Sequence, residues 1–440
     1  MARKQPRKGL PFTREMIQAT QAVPSVLTDY RFAAWDVFQE LPLPTSDDEA
    51  WRRTSLRDFD FESLSLANGR PAKEQSVESS RALISDAILK QNPHVLLSSS
   101  GVIAKQTENL KEKGVVFSSL TDAALHHPQL VEKILGKVVS PRDGMFAAAA
   151  AAFSREGIFI YVPRGITVET PLFGISASLG AGTAHFFQTL IYLEEGASLN
   201  YLQETLSTAD HDSPSLTGEI MEIYIGPNAN LQVTELQNFG SQVWSFGHKK
   251  ALVERDGNLQ WGIGALGSKL TKHFVSVDLV GKGAEGRVSG MFFADQEQHL
   301  SYNTLQRHLA PWTTSDLLFR GALNGKSRSV WRGMIYVAEG AQHVDGYQAN
   351  RNLVLDPGAR SDSIPGLEIL NDDVRCTHGS TIGKIDEDQL FYLLSRGLPR
   401  VEAEQLVVQG FFDDILKRFS ISAVGENLWE RIRDRLMSYA

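Results

Sequence analysis

One cysteine, Cys376, in 440 residues leaves this chain unable to form an internal disulfide, and a thiolate-only metal site built from its own residues is excluded with it. The chain has no apolar run near 18 residues, and no hydrophobic segment follows its basic start, Ala2-Arg3-Lys4-Gln5-Pro6-Arg7-Lys8. A soluble, intracellular protein without a membrane partner is therefore expected, the start being a disordered tail. Basic charge is also short: 44 Lys and Arg against 52 Asp and Glu give a formal net charge of −8. That removes the positive field on which non-specific nucleic-acid binding depends, so nucleic acid is not an expected partner. Missing too are a P-loop, a dinucleotide-binding glycine fingerprint after a strand, an HExxH pair and a nucleophile elbow. The chain is not expected to be an enzyme or to hydrolyse ATP itself.

What is present divides into three. Residues 1–150 read as a helical and α/β domain: apolar residues recur at helical intervals over 12–42 with a break near Pro24. A short helix follows, with Thr45 or Ser46 as its N-cap and Asp48 and Glu49 in its first turn. A polar loop is expected over 68–80, an α/β stretch over 94–135, and a tightly packed helix through the alanine run 147–152.

From 151 to 384 the pattern is short β-rich pieces separated by glycine-containing turns. Turns ending on Val168, Leu199, Leu231, Leu259 and Val288 recur at a period of about 30 residues, the mark of a stacked β-solenoid whose coils bury their inner faces on one another. The fold class is thus mainly β. A β-sandwich, with turns every ~8–12 residues and no long period, is the second reading. Residues 385–440 return to helix, with Gly397 suited to a C′ position and Pro399 as a stop. Ala403, Leu406, Val407, Gly410, Phe411 and Ile415 would share one helix face, and Leu428, Ile432 and Leu436 another. At about 55 residues this tail is too small for much of a core of its own, so it packs on the solenoid or offers an apolar face to a partner.

Chemistry concentrates at Cys376 and His378. Residues i and i+2 of a strand face the same way, which sets a thiol beside an imidazole, ligand types suited to iron or zinc. Two ligands do not close a tetrahedral site, so the rest would come from histidines, carboxylates or a second protein. Against this stands the structural reading, a buried apolar cysteine and a hydrogen-bonded histidine. His343, roughly one solenoid repeat earlier, is a candidate neighbour of His378. A β-solenoid hydrolase or lyase acting on a polysaccharide is the alternative from another class.

Four stretches, in order, resemble the SufB/SufD family of iron-sulfur cluster assembly scaffold proteins: LPLPTSDDEAWRRTSL, EGAQHVDGYQANRNLVLDPGARSDSIPGLEI, DDVRCTHGSTIGKIDEDQLFYLLSRGLPRVEAEQL and QGFFDDIL. The Cys-Thr-His-Gly-Ser form is most like the SufD branch, with SufB the runner-up. The resemblance implies a right-handed parallel β-helix between an N-terminal helical or α/β domain and a C-terminal helical domain. It further implies pairing with a SufB-like subunit, docking of a SufC-like ABC ATPase, and a transient iron-sulfur cluster where two β-helices meet. On this chain His378 and Cys376 become the interface ligands. Leu390, Phe391, Leu394, Arg396, Gly397, Leu406, Gly410 and Phe411 become the ATPase-docking residues. A homodimer of the isolated chain, an association of the complex with reduced flavin at no located site, and a cytoplasmic setting, or an organelle stroma in a plastid-bearing source, complete the expectations.

Overall fold

Strands of seven to eleven residues begin at Glu156 and continue to Lys384. Because successive side chains of a strand alternate between faces, each of them sends one apolar row inward. In the computed structural model, which describes residues 10–18, 24–67, 84, 86–98, 101–178, 180–207, 213–419 and 422–437, these strands alternate between two parallel sheets. The first sheet stacks Glu156–Val162, Thr183–Leu193, Ser215–Ile225, Val243–Val253, Leu270–Leu279, His299–His308, Arg328–Val337 and Arg360–Ile369. The second stacks Leu172–Ser178, Ser198–Ser207, Asn230–Asn238, Asn258–Leu266, Glu285–Ala294, Thr314–Leu323, Val344–Val354 and Val374–Lys384. The result is a parallel β-solenoid of about eight turns. Parallel pairing throughout the solenoid body sets the sandwich reading aside.

One corner explains the period. Gly165, Gly196, Asn228, Asp256, Gly283, Trp312 and His343 occupy it in successive coils, all left-handed with φ between 54° and 73°. Each N–H donates to the carbonyl just before the equivalent residue of the next coil, as from Gly196 to Pro227 and from Asn228 to Arg255, both at 2.8 Å. Glycine and asparagine accept that conformation cheaply, whereas a bulky side chain is strained there. One alignment needs correction: Leu259 pairs with Gly286, while Val288 pairs with Trp261.

The interior row is apolar for most of its length. Leu199, Leu231, Leu259, Ile191, Ile223 and Val253 are all buried in one continuous cluster, each contributing about 2 kcal/mol. At its start the solenoid is capped by two antiparallel pairings, His94–Ser98 with Gly101–Lys105 and Val116–Ser119 with Glu156–Val162. At its end, Arg360–Ile369 and Val374–Lys384 have a neighbour on one side only.

The N-terminal residues lie along the outside of the first sheet. Helix Met145–Phe153, buried at every position, bears out the packed alanine helix and sits between helix Ser25–Glu40 and the sheet residues Phe186, Ile220 and Phe246. The helix expected after Pro44 is one 3₁₀ turn, Glu49–Trp51, with Asp48 rather than Thr45 or Ser46 at the N-cap position and no capping bond from its side chain. Asp48 is also tied back by a hydrogen bond from the Thr45 N–H at 2.7 Å. The basic start and the 68–80 loop lie outside the described residues. The C-terminal helices Arg400–Leu416 and Ser422–Met437 cover the outside of the second sheet, with Val408, Phe412, Ile415, Leu428 and Ile432 against Leu236, Leu266, Phe293 and Leu318. Among the described residues no helix is long and apolar enough to cross a membrane.

Candidate functional site

The last strand of the second sheet, Val374–Lys384, pairs in parallel with Val344–Val354, setting Cys376 on Gly346 and His378 on Gln348. Followed back through the coils, the Cys376 column reads Gly346, Ser315, Gly286, Leu259, Leu231 and Leu199, and the His378 column Gln348, Leu317, Val288, Trp261, Val233 and Tyr201. Both columns are interior ones. Cys376 and His378 thus face into the solenoid bore from its final, uncovered coil, as the strand alternation requires.

The two residues differ in surroundings. Cys376 is half-buried against Ile335, Val337, Ala341 and Val344. A Cβ on Gly346 would stand 3.1 Å from the Cys376 Sγ and 3.5 Å from His308 Nε2, so the thiol sits tightly over the glycine backbone. Burial pushes the thiol pKa up and the Asp345 charge adds to it, against a backbone hydrogen bond from Gly346. At neutral pH Cys376 is a protonated thiol, and metal binding must displace that proton. His378 is exposed, with no hydrogen bond or ion pair to a described residue. Among the described residues no three His, Cys, Asp or Glu side chains gather closely enough to hold a metal ion.

His343 does not join this pair. The coil here is shorter than the spacing of the two histidines, so the His343 N–H meets the Asp373 carbonyl at 2.8 Å and its Nδ1 stands 3.1 Å from Asp373 Oδ2. Its ring lies 4.0 Å from that of Trp312.

Beneath the open coil the bore changes character. Leu317, Phe319 and Gly321 give way to Gln348, Asn350 and Asn352, all buried. Gln348 Nε2 donates to the Gly366 carbonyl at 2.9 Å and Asn350 Nδ2 to Ser363 Oγ at 3.1 Å, while Gln348 Oε1 and Asn350 Oδ1 have no partner. This polar floor was not foreseen, although every second residue of Gln348-Ala349-Asn350-Arg351-Asn352 carries an amide. Deeper in, an ionic cluster crosses the bore. Lys249 Nζ lies 2.7 Å from Glu219 Oε2 and also pairs with Glu235, which accepts from Trp261 Nε1 at 2.6 Å. Gln203 Nε2 donates to Glu219 at 2.5 Å. Burial raises the Glu219 pKa to about 7 despite Lys249. For Lys249 burial acts downward, but the two carboxylates outweigh it. The charges stand in phase with inward apolar neighbours such as Met221 and Ala251, and that phase is the signal that marks them.

The tail helices separate core from surface. Leu390 is 1% exposed and belongs to the packing, which corrects its assignment as a docking contact; Phe391 is 72% and Leu406 47% exposed. The buried face of Arg400–Leu416 is Ala403, Val408, Phe412 and Ile415, so the expected apolar face is rotated. Leu406 and Gly410 point outward and Phe411 is half-buried. Leu394 is half-buried, Arg396 lies over the Tyr392 ring at 5.1 Å, and Gly397 takes φ 88° at the turn. Tyr392, Leu393, Leu406, Gly410 and Phe411 line a groove of about 560 Å³ that reaches Leu353 of the solenoid.

Comparison with known proteins places the chain. The family model described as "SUF system FeS cluster assembly, SufBD core domain" matches residues 176–411, and "SufBD protein N-terminal region" matches 12–173. An "Iron-sulfur cluster assembly SufBD family protein" of Staphylococcus epidermidis is 29% identical over 406 residues, covering 90% of this chain and 86% of its own. A protein of the same description from Staphylococcus haemolyticus is 32% identical over 310 residues, covering 70% of this chain and 66% of its own. With a solenoid matched over more than half the chain, this protein belongs to the SufBD family of iron-sulfur cluster assembly proteins.

Proposed function

We propose that the chain is the SufD-type subunit of an iron-sulfur cluster assembly scaffold, pairing through its open last coil with a SufB-like subunit. The cluster is the cargo, and His378, with Cys376 behind it, supplies part of its binding site. The observation that carries this reading is that His378 stands in an interior column yet is exposed, because no further coil covers it. The edge around it exposes the apolar Leu367, Ile369, Leu370 and Ile382 among charged residues such as Glu368 and Arg375. Unpaired edge strands with apolar side chains favour addition of another chain. The isolated chain is expected to use the same edge for a homodimer.

A SufC-like ABC ATPase would dock on the groove beside Phe391, Leu406, Gly410 and Phe411, and ATP hydrolysis would belong to it, this chain being non-catalytic. Its dimerisation would pull on the C-terminal helices, which grip the second sheet, and so shift the two solenoids against each other. The division into 1–150, 151–384 and 385–440 follows these roles. A single cysteine favours this SufD-type reading over a SufB-like one. Co-expression with SufB-like and SufC-like partners, followed by anaerobic isolation, tests it: a complex that forms equally well when residues 385–440 are deleted would end the docking proposal.

A further inference from the structure

The segment 43–57 is fixed against the outer face of the first sheet. Lys272 Nζ donates to the Ala50 carbonyl at 2.6 Å, Thr54 Oγ1 to Ser301 Oγ at 3.4 Å, and Arg332 pairs with Glu49 at 2.9 Å. Trp51 is buried beside the stacked pair Phe146 and Phe246, at 5.6 and 6.0 Å from their rings. These attachments hold Arg52, Arg53 and Arg57 around a cleft of about 550 Å³, whose far side is Arg328. Four guanidinium groups line it and no carboxylate does. Arg52, Arg53 and Arg57 have no ion pair to a described residue. Arg328 is steadied from behind by Asp362, 2.9 Å from its Nη2, and its buried Nε has no hydrogen-bond partner.

In a chain of net charge −8, such a concentration of like charge costs self-repulsion unless an anion enters. Guanidinium forks match the oxygens of phosphate in paired hydrogen bonds. Leu43 and Leu56 add an apolar wall to the cleft, and its volume falls in the range of small-ligand sites, on the order of 300–1,000 Å³. We propose that this cleft binds a small phosphorylated organic molecule, the arginines holding the phosphate and the leucines its organic part. The net acidic charge of the chain disfavours a nucleic acid. The proposal does not rest on the cluster-assembly role, because the cleft is lined by neither Cys376 nor His378.

Titration calorimetry of the full-length chain with inorganic pyrophosphate tests it, alongside an Arg53→Ala/Arg57→Ala double variant checked for an unchanged circular dichroism melt. Both arginines are exposed, so the fold should survive their loss. Saturable one-to-one binding that tightens at low salt, weakened by about tenfold or more in the double variant, is expected. No saturable binding by the native chain, or equal binding by the double variant, would overturn the proposal.

Discussion

His378 pairs in register with Gln348, one coil below it, and the two differ in that Gln348 is 0% exposed while His378 faces solvent. The same column that packs Leu317, Val288 and Trp261 in the bore ends on an imidazole with no described strand above it. A solenoid whose last coil has no further described coil against it leaves its inner face as a surface, and that face carries the ligand-type residues.

Cys376 should behave as a shielded thiol. Its pKa is raised by burial, so alkylation by iodoacetamide, followed by mass spectrometry of the isolated chain, should be slow at pH 7.5 and still accelerating above pH 9. A rate already level at pH 7.5 would contradict this environment.

The tail offers a paired test of surface against core. Phe391→Ala and Leu406→Ala should leave the unfolding free energy in urea unchanged to within about 0.5 kcal/mol, while weakening capture of the proposed SufC-like ATPase. Leu390→Ala should instead cost about 2–5 kcal/mol, because it leaves a cavity. Equal destabilisation by all three would show that the helix is seated otherwise.

The charge cluster inside the bore predicts a pH-dependent defect. Lys249→Met strands Glu219 and Glu235 in the interior and should cost about 3–5 kcal/mol at pH 8. At pH 6 the loss should shrink as the Glu219 carboxyl, raised by burial to about 7, takes up a proton. Urea midpoints of the variant that do not move between the two pH values would refute the geometry.

Acid should act on the protein through its buried histidines. Burial lowers His185, His248 and His308 to about 4. A depressed histidine contributes stability that is whole above its unfolded pKa near 6.5 and is lost as pH falls towards 4. Each removes up to roughly 1.4 kcal/mol per pH unit across that window. Glu219 and Glu222, raised by burial to about 7, work the other way, because taking up protons below that pH stabilises the fold. The test is therefore a difference: between pH 6.5 and 4.5 the melting temperature of His308→Gln should fall less, or rise more, than that of the native chain. Parallel pH profiles of the two would contradict the burial of this ring.

Much of the solenoid was legible because its corner residue is a conformational necessity: Gly165, Gly196, Asn228 and Asp256 with Gly257 leave a readable mark each coil. The alignment slipped by two residues already at Val288, and the mark fades where Trp312 and His343 take the same left-handed turn, so His343 was set in the wrong neighbourhood. The Cys376/His378 pair was readable from strand alternation alone. That it faces inward on an uncovered coil was not, since inner and outer faces of a last strand are told apart only by the register with Gln348. The polar floor and the Lys249 cluster were hidden for a related reason: hydrophobic patterning assigns amides and charges to solvent, whereas here hydrogen bonds and ion pairs satisfy much of their polarity inside.

The central claim is that His378 is a cluster ligand and not a structural residue. Co-purification of the complex with SufB-like and SufC-like partners under anaerobic conditions, followed by visible and electron paramagnetic resonance spectroscopy, measures it directly. The native complex should show iron-sulfur absorption, and the His378→Ala complex should assemble with the same stoichiometry and melting temperature but lose that signal. Normal cluster build-up on the His378→Ala complex would contradict the account.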